Sequence, residues 1–161
     1  MKSFYSTDPP SHKGQTNSWL TPLNIVHSLG EFDLDPCGFK FHKTAKNIIQ
    51  LPEDGLIEKW TGRIWLNPPY GKEQQKFLYK LSKHDGGGIA LIFARLETNW
   101  IQDYLKNGFY QIQGRINFIK ENGSSNKKGN AGCGSILIPF SEFDKKKILE
   151  SGIKGKFFVC Q

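Results

Sequence analysis

The segment Asn67-Pro68-Pro69-Tyr70 brings together groups that can turn a conjugated, weakly nucleophilic nitrogen into an attacking one. The lone pair of an adenine amine or a carboxamide is delocalised, and methylating it requires that the pair be drawn back onto nitrogen. An asparagine side-chain oxygen and a backbone carbonyl can each accept one N–H. Together they favour a tetrahedral nitrogen and stabilise the positive charge that grows on it during attack. Asn67 and the carbonyl of Pro68 suit those two places. The prolines hold φ at about −65°, which aims the carbonyl before substrate arrives. Tyr70 supplies a flat face for a base swung out of a duplex. The plainer reading is a proline-rich turn with Tyr70 as packing, but this string directly after a short apolar strand is a specific pattern.

A second chemical group lies upstream. Phe32-Asp33-Leu34-Asp35-Pro36 alternates apolar and polar residues and stops at proline, which puts Asp35 at the carboxyl end of a strand. A carboxylate beside the crevice at such a strand end can pair with a ligand's ammonium. A turn-capping aspartate is the alternative for Asp35, and a small buried residue is the alternative for Cys37. No acidic residue stands between Asp35 and Glu53. Either a ribose partner is absent, or Glu53 or Asp54 serves a ribose or an adenine amine; of the two Asp54 is preferred, against the weightier reading of it as an ordinary loop aspartate.

These groups need elements to hold them. Thr21 as cap, Pro22 in the first turn and Gly30 as stop predict a short helix with Leu23, Val26 and Leu29 on its buried face. Residues 37–59 carry little periodicity beyond one short helix at 44–49 capped by Thr44. Residues 62–66 form a strand that runs into Asn67, and 72–84 form a helix with Phe77, Leu78 and Leu81 on one side. A strand at 89–94 comes next, then a helix capped by Thr98 with Trp100, Ile101, Tyr104 and Leu105 as its apolar stripe. Strands at 109–119, 135–140 and 156–159, with a helix at 143–149, complete an α/β sheet whose closing strands turn antiparallel. Residues 1–18 read as a flexible arm, 19–161 as one domain, and 120–134 as a polar loop. Trp60 and Trp65 precede the Asn67 segment closely and should pack beneath it.

The chain has 161 residues, 37% of them hydrophobic, enough for one compact core. Its net charge of +7 favours a polyanion, and nucleic acid suits that better than a membrane because no apolar run is long enough to span one. The first residues lack the apolar core of a signal peptide, so the expected location is the cytoplasm. Cys37, Cys133 and Cys160 are odd in number and widely spaced, and the four histidines have no ligand-like spacing. Reduced thiols and no metal are the expectation.

Trp19-Leu20-Thr21-Pro22, the segment at 32–37, the run from Trp60 to Tyr70, Ala94-Arg95-Leu96-Glu97-Thr98-Asn99-Trp100 and Gly114-Arg115-Ile116-Asn117-Phe118 resemble the phage-type DNA N6-adenine methyltransferase family. The likeness implies a Rossmann-like methyltransferase fold, mostly parallel with an antiparallel C-terminal part. It also implies S-adenosylmethionine as methyl donor, adenine in double-stranded DNA as acceptor, and direct in-line transfer to a flipped-out base. By the same likeness, Trp19, Thr21 and Pro22 match a segment that contacts the methionine part of the cofactor, and Asp35, Pro36 and Cys37 match the first cofactor loop. The chain departs from the family's glycine-rich signature there: only Gly38 remains, followed by Phe39-Lys40-Phe41-His42-Lys43.

Arg95 and Thr98 lie just past a strand end and would line the base or DNA channel, whereas Trp100 reads as core. Arg115, Lys120, Lys127 and Lys128 are candidates for phosphate contacts, against the reading that lysines simply solvate a glycine-rich loop. Two other functions use the same features: methylation of a protein glutamine, which poses the same lone-pair problem, and a catalytically idle DNA-binding module. The expected assembly is a monomer or weak dimer, in a phage or restriction-modification setting that the sequence leaves open.

Overall fold

The computed structural model describes residues 19–120 and 133–160. The proposed arm at 1–18 and Lys127 and Lys128 lie outside them. In chain order the elements are β1 (Trp19–Leu20), α1 (Leu23–Ser28), β2 (Leu34–Asp35), β3 (Asn47–Ile48), β4 (Ile64–Leu66), α2 (Lys72–Ser82) and β5 (Gly88–Phe93). The chain continues through α3 (Asn99–Gln102), β6 (Phe109–Ile112), β7 (Ile119–Lys120), β8 (Ser135–Pro139), α4 (Glu142–Glu150) and β9 (Gly155–Phe158).

Seven strands form one mixed sheet in the order β3-β2-β4-β5-β8-β6-β9, and β1 pairs antiparallel with β7 in a separate two-stranded sheet. β2 pairs parallel with both β3 and β4, and β4 parallel with β5. The remaining pairings, β5–β8, β8–β6 and β6–β9, are antiparallel. The pairings of this sheet among described residues thus divide evenly, and the parallel half is smaller than the sequence led us to expect. From β2 the chain moves outward to β3, then returns to the other side of β2 to lay down β4. This reversal creates a crevice at the carboxyl ends of β2 and β4, the usual ligand position in such sheets.

Side-chain alternation distributes the core onto both faces of the sheet. Ile64 and Leu66 join Phe77, Leu78 and Leu81 of α2 and Ile101 beyond β5, while Trp65 between them joins Val26, Leu29, Phe32 and Ile148 on the other face. Trp65 is fully buried against Phe32, and Trp60 is buried beside Phe77. Trp65 shares the crevice lining with Asn67–Tyr70, whereas Trp60 packs outside it, its indole N–H donating to the Gly55 carbonyl. β4 is buried along its whole length, so its end is a rigid mounting for Asn67 and the two prolines.

Several local readings change. α1 begins after Pro22, and Thr21 does not cap it; the Thr21 hydroxyl accepts a hydrogen bond from the Asn67 side chain instead. The short helix at 44–49 is absent. Those residues run into β3 alongside β2, and the Thr44 hydroxyl donates to Asp35. Six residues are too few for a helix to be stable without packing, whereas a strand there completes the sheet edge. Thr98 occupies the N-cap of α3 without a side-chain capping bond; its hydroxyl donates back to the Arg95 carbonyl. The expected long strand at 109–119 ends at Ile112, because Gly114 at φ 76° turns the chain toward β7.

Candidate active site

A cavity of about 450 Å³ opens at the switch point between β2 and β4. It is lined by Trp19, Thr21, Asp35, Pro36, Cys37, Asp54, Asn67, Pro68, Pro69 and Tyr70. These residues, scattered over 52 positions of sequence, are drawn to one wall system by the sheet. Pro22 does not line the cavity; it is the N-cap of α1. Arg95, Thr98, Arg115 and Lys120 also lie outside the lining, with Arg115 and Lys120 exposed.

Asn67 is the first residue after β4. Its Nδ2 donates to the Trp19 carbonyl at 2.8 Å and to the Thr21 hydroxyl at 3.2 Å. A carbonyl oxygen only accepts, so the nitrogen of the amide must face the Trp19–Thr21 segment and Oδ1 must point away from it. The Asn67 backbone carbonyl accepts from the Cys37 thiol at 3.3 Å, a bond that joins the end of β4 to the loop after β2. Burial pushes the Cys37 thiol well above its ordinary range, and the Asp35 carboxylate adds to the rise. Cys37 is therefore a neutral donor rather than a nucleophile.

The Tyr70 ring lies parallel to Phe93 with centroids 4.2 Å apart, and Phe93 in turn meets Phe118 edge-on. One face of Tyr70 is thus covered, and its remaining surface contributes to the cavity wall. Burial raises its phenol above the usual range, so it stays protonated.

Asp35 ends β2 and is 3% exposed. Its two oxygens accept from the Cys37 backbone N–H at 3.1 Å and the Thr44 hydroxyl at 2.5 Å. Burial lifts its pKa to about 6, partly offset by those two hydrogen bonds. No lysine, arginine or histidine pairs with it among the described residues. The backbone packs tightly around this carboxylate: a Cβ at Gly38 would overlap it, and one at Gly55 would overlap the Pro36 carbonyl. The single retained glycine therefore has a steric reason.

Asp54, also in the lining, is exposed, and its Oδ1 accepts from the Leu56 N–H at 2.8 Å, a turn-stabilising bond. Glu53 sits beside it, 4.0 Å from the Lys40 ammonium. Behind that turn the Lys80 ammonium donates to three carbonyls, those of Gly55, Leu56 and Glu58. Sequence reasoning missed His42, Thr44, Gln50, Gly55 and Phe77 as lining residues. Gly55 carried a signal in its lack of a side chain beside an acidic pair; His42 and Thr44 had only proximity to the departure from the glycine-rich pattern.

A ligand-sized cavity lies at the switch point of an α/β sheet, where small-molecule sites commonly form, with a buried carboxylate on one strand end and an oriented amide on the next. The family model described as DNA N-6-adenine-methyltransferase (Dam) matches residues 10–155, and the chain belongs to that family. No curated protein and no solved structure matches it. Among the described residues no helix is long and apolar enough to cross a membrane, and no cluster of three metal-ligating side chains occurs.

Proposed function

We propose that this chain transfers a methyl group from S-adenosylmethionine to the N6 amine of adenine in double-stranded DNA, acting directly on a base swung out of the helix in a Rossmann-like fold. The observation that carries this reading is the orientation of Asn67. Both of its amide hydrogens are engaged by Trp19 and Thr21, so Oδ1 is the end left to accept from a substrate amine. The Pro68 carbonyl, fixed between two proline rings, is the second acceptor. Together they hold both amine hydrogens while positive charge grows on nitrogen. The face of Tyr70 opposite Phe93 is the surface on which the base stacks.

The cavity also fits the cofactor's chemistry. Asp35 is a buried anion without a cation partner among the described residues, and an ammonium brought by the ligand would complete the pair. Asp54 and Glu53, which also line the cavity, would meet ribose hydroxyls or an adenine amine. S-adenosylmethionine, when bound, supplies the electrophilic methyl group. Arg95, Arg115 and Lys120, with the net charge of +7, support phosphate contacts along DNA.

Incubating the purified protein with methyl-labelled S-adenosylmethionine and unmethylated DNA tests the reading. Label in N6-methyladenine is the expected result. No transfer to DNA would contradict it, and label found only in protein glutamine would reassign the acceptor to an amide.

A further inference from the structure

The segment that replaces the glycine-rich loop, residues 39–44, is tied to both halves of the site. It closes on itself through an antiparallel bridge between Phe39 and His42, with the His42 N–H donating to the Phe39 carbonyl at 2.8 Å. At its end Thr44 donates to the Asp35 carboxylate. Inside it the His42 ring is 9% exposed, and its Nε2 lies 2.7 Å from the Thr21 carbonyl. Because that carbonyl only accepts, Nε2 carries the proton.

Thr21 is itself buried, 1% exposed, and its hydroxyl is one of the two acceptors that orient the Asn67 amide. The other acceptor, the Trp19 carbonyl, belongs to β1, which is held on its own strand partner β7. Thr21 lies just past that pairing, and the next residue, Pro22, begins the turn into α1. The bond from His42 is thus the contact that fixes the Thr21 backbone where the strand ladder stops.

We propose that His42 is a positioning residue for the methyl-transfer step, acting through Thr21 to hold the Asn67 amide with Oδ1 toward the substrate. Resting on the reading of Asn67 as the amine's acceptor, it gives the unusual Phe39-Lys40-Phe41-His42-Lys43 run a role: a short bridged loop that links the carboxylate on β2 to the amide after β4.

A double-mutant cycle with a spectroscopic readout tests this. His42→Ala is expected to lower kcat on unmethylated DNA about ten- to a hundredfold through a misplaced acceptor, with KM for DNA and the Kd for S-adenosylmethionine, measured by calorimetry, changed less than about threefold. His42→Gln, which restores an N–H donor, should recover most of the rate. In the ligand-free protein, the Asn67 side-chain amide resonances should move in His42→Ala and return toward their wild-type positions in His42→Gln. Asn67→Ala combined with His42→Ala should be no slower than Asn67→Ala alone.

Unchanged kcat and unmoved Asn67 resonances in His42→Ala, or full additivity in the double variant, would overturn the proposal. If His42→Ala fails to fold, His42→Met keeps bulk without the donor, and the same two outcomes apply. If Asn67→Ala alone keeps wild-type activity, the acceptor reading itself falls, a result distinct from a silent His42.

Discussion

Asp144 and Asp35 are the two acidic residues that the described fold takes out of water, and they are provided for in opposite ways. Asp144, in the first turn of α4, accepts from Arg63 Nε at 2.6 Å, the Gly88 N–H at 2.7 Å and the Ser141 hydroxyl at 2.5 Å. It pins the amino-terminal edge of β4 and β5 to the helix above them. Asp35, at the carboxyl edge of β2, receives two neutral donors and, among the described residues, no cation, and burial pushes it up to about 6. A carboxylate buried with its cation is finished structure. One buried without a cation is a cost the unliganded fold carries, which a positively charged ligand would relieve.

The largest effect should come from breaking the completed pair. Asp144→Ala leaves the Arg63 guanidinium buried and unpaired. It should lower the unfolding free energy in urea by about 3–5 kcal/mol, which for a domain of this size is enough to prevent isolation of folded protein. A loss under about 1 kcal/mol would mean the pair is less enclosed than its geometry indicates.

The next effect separates the two carboxylates by pH. Below about pH 4 Asp35 is protonated whether folded or not. As pH rises through about 6 the folded protein must ionise a buried group, so its stability falls across that window. The loss should be roughly 3 kcal/mol, at about 1.4 kcal/mol for each tenfold difference in proton affinity. Asp35→Asn should flatten this part of the curve and leave the ligand-free protein at least as stable as wild type at neutral pH. A variant curve that still falls between about pH 4 and 6 would place the titration elsewhere.

That same substitution should weaken S-adenosylmethionine binding by on the order of ten- to a hundredfold in calorimetry, the worth of one charge-assisted contact. Wild-type affinity should rise with pH up to about 6, because the ligand's cation selects the ionised carboxylate. Asp54→Asn, at an exposed turn that keeps its bond to the Leu56 N–H, should cost only a few-fold. If Asp54 mattered more than Asp35, the assignment of the two carboxylates would be reversed.

How far the sequence could be read depended on the range of the interactions. Strands that stop at proline announce themselves locally, and both Asp35 and Asn67 were placed at strand ends on that basis. The threonines show where local reading stops. Thr21, Thr44 and Thr98 all sit where a helix cap belongs by propensity, and none caps a helix by its side chain. Thr21 instead meets Asn67, 46 positions away, and Thr44 meets Asp35 across the β2–β3 connection. The hydroxyl that does cap is that of Ser141, which accepts from the Asp144 N–H. His42 had no local pattern at all, because its partner lies 21 residues back on another element. The sheet's even division between parallel and antiparallel pairing was likewise hidden, since it depends on β8 inserting between β5 and β6.

Single-turnover methyl transfer by Asn67→Ala with saturating cofactor and DNA tests most directly whether the Asn67 amide, oriented by Trp19 and Thr21, accepts from the substrate amine. The rate should fall about a hundred- to a thousandfold, as for loss of one oriented hydrogen-bond partner at a charge-developing atom, while S-adenosylmethionine affinity stays within a few-fold of wild type. A transfer rate within a factor of about two of wild type would contradict it.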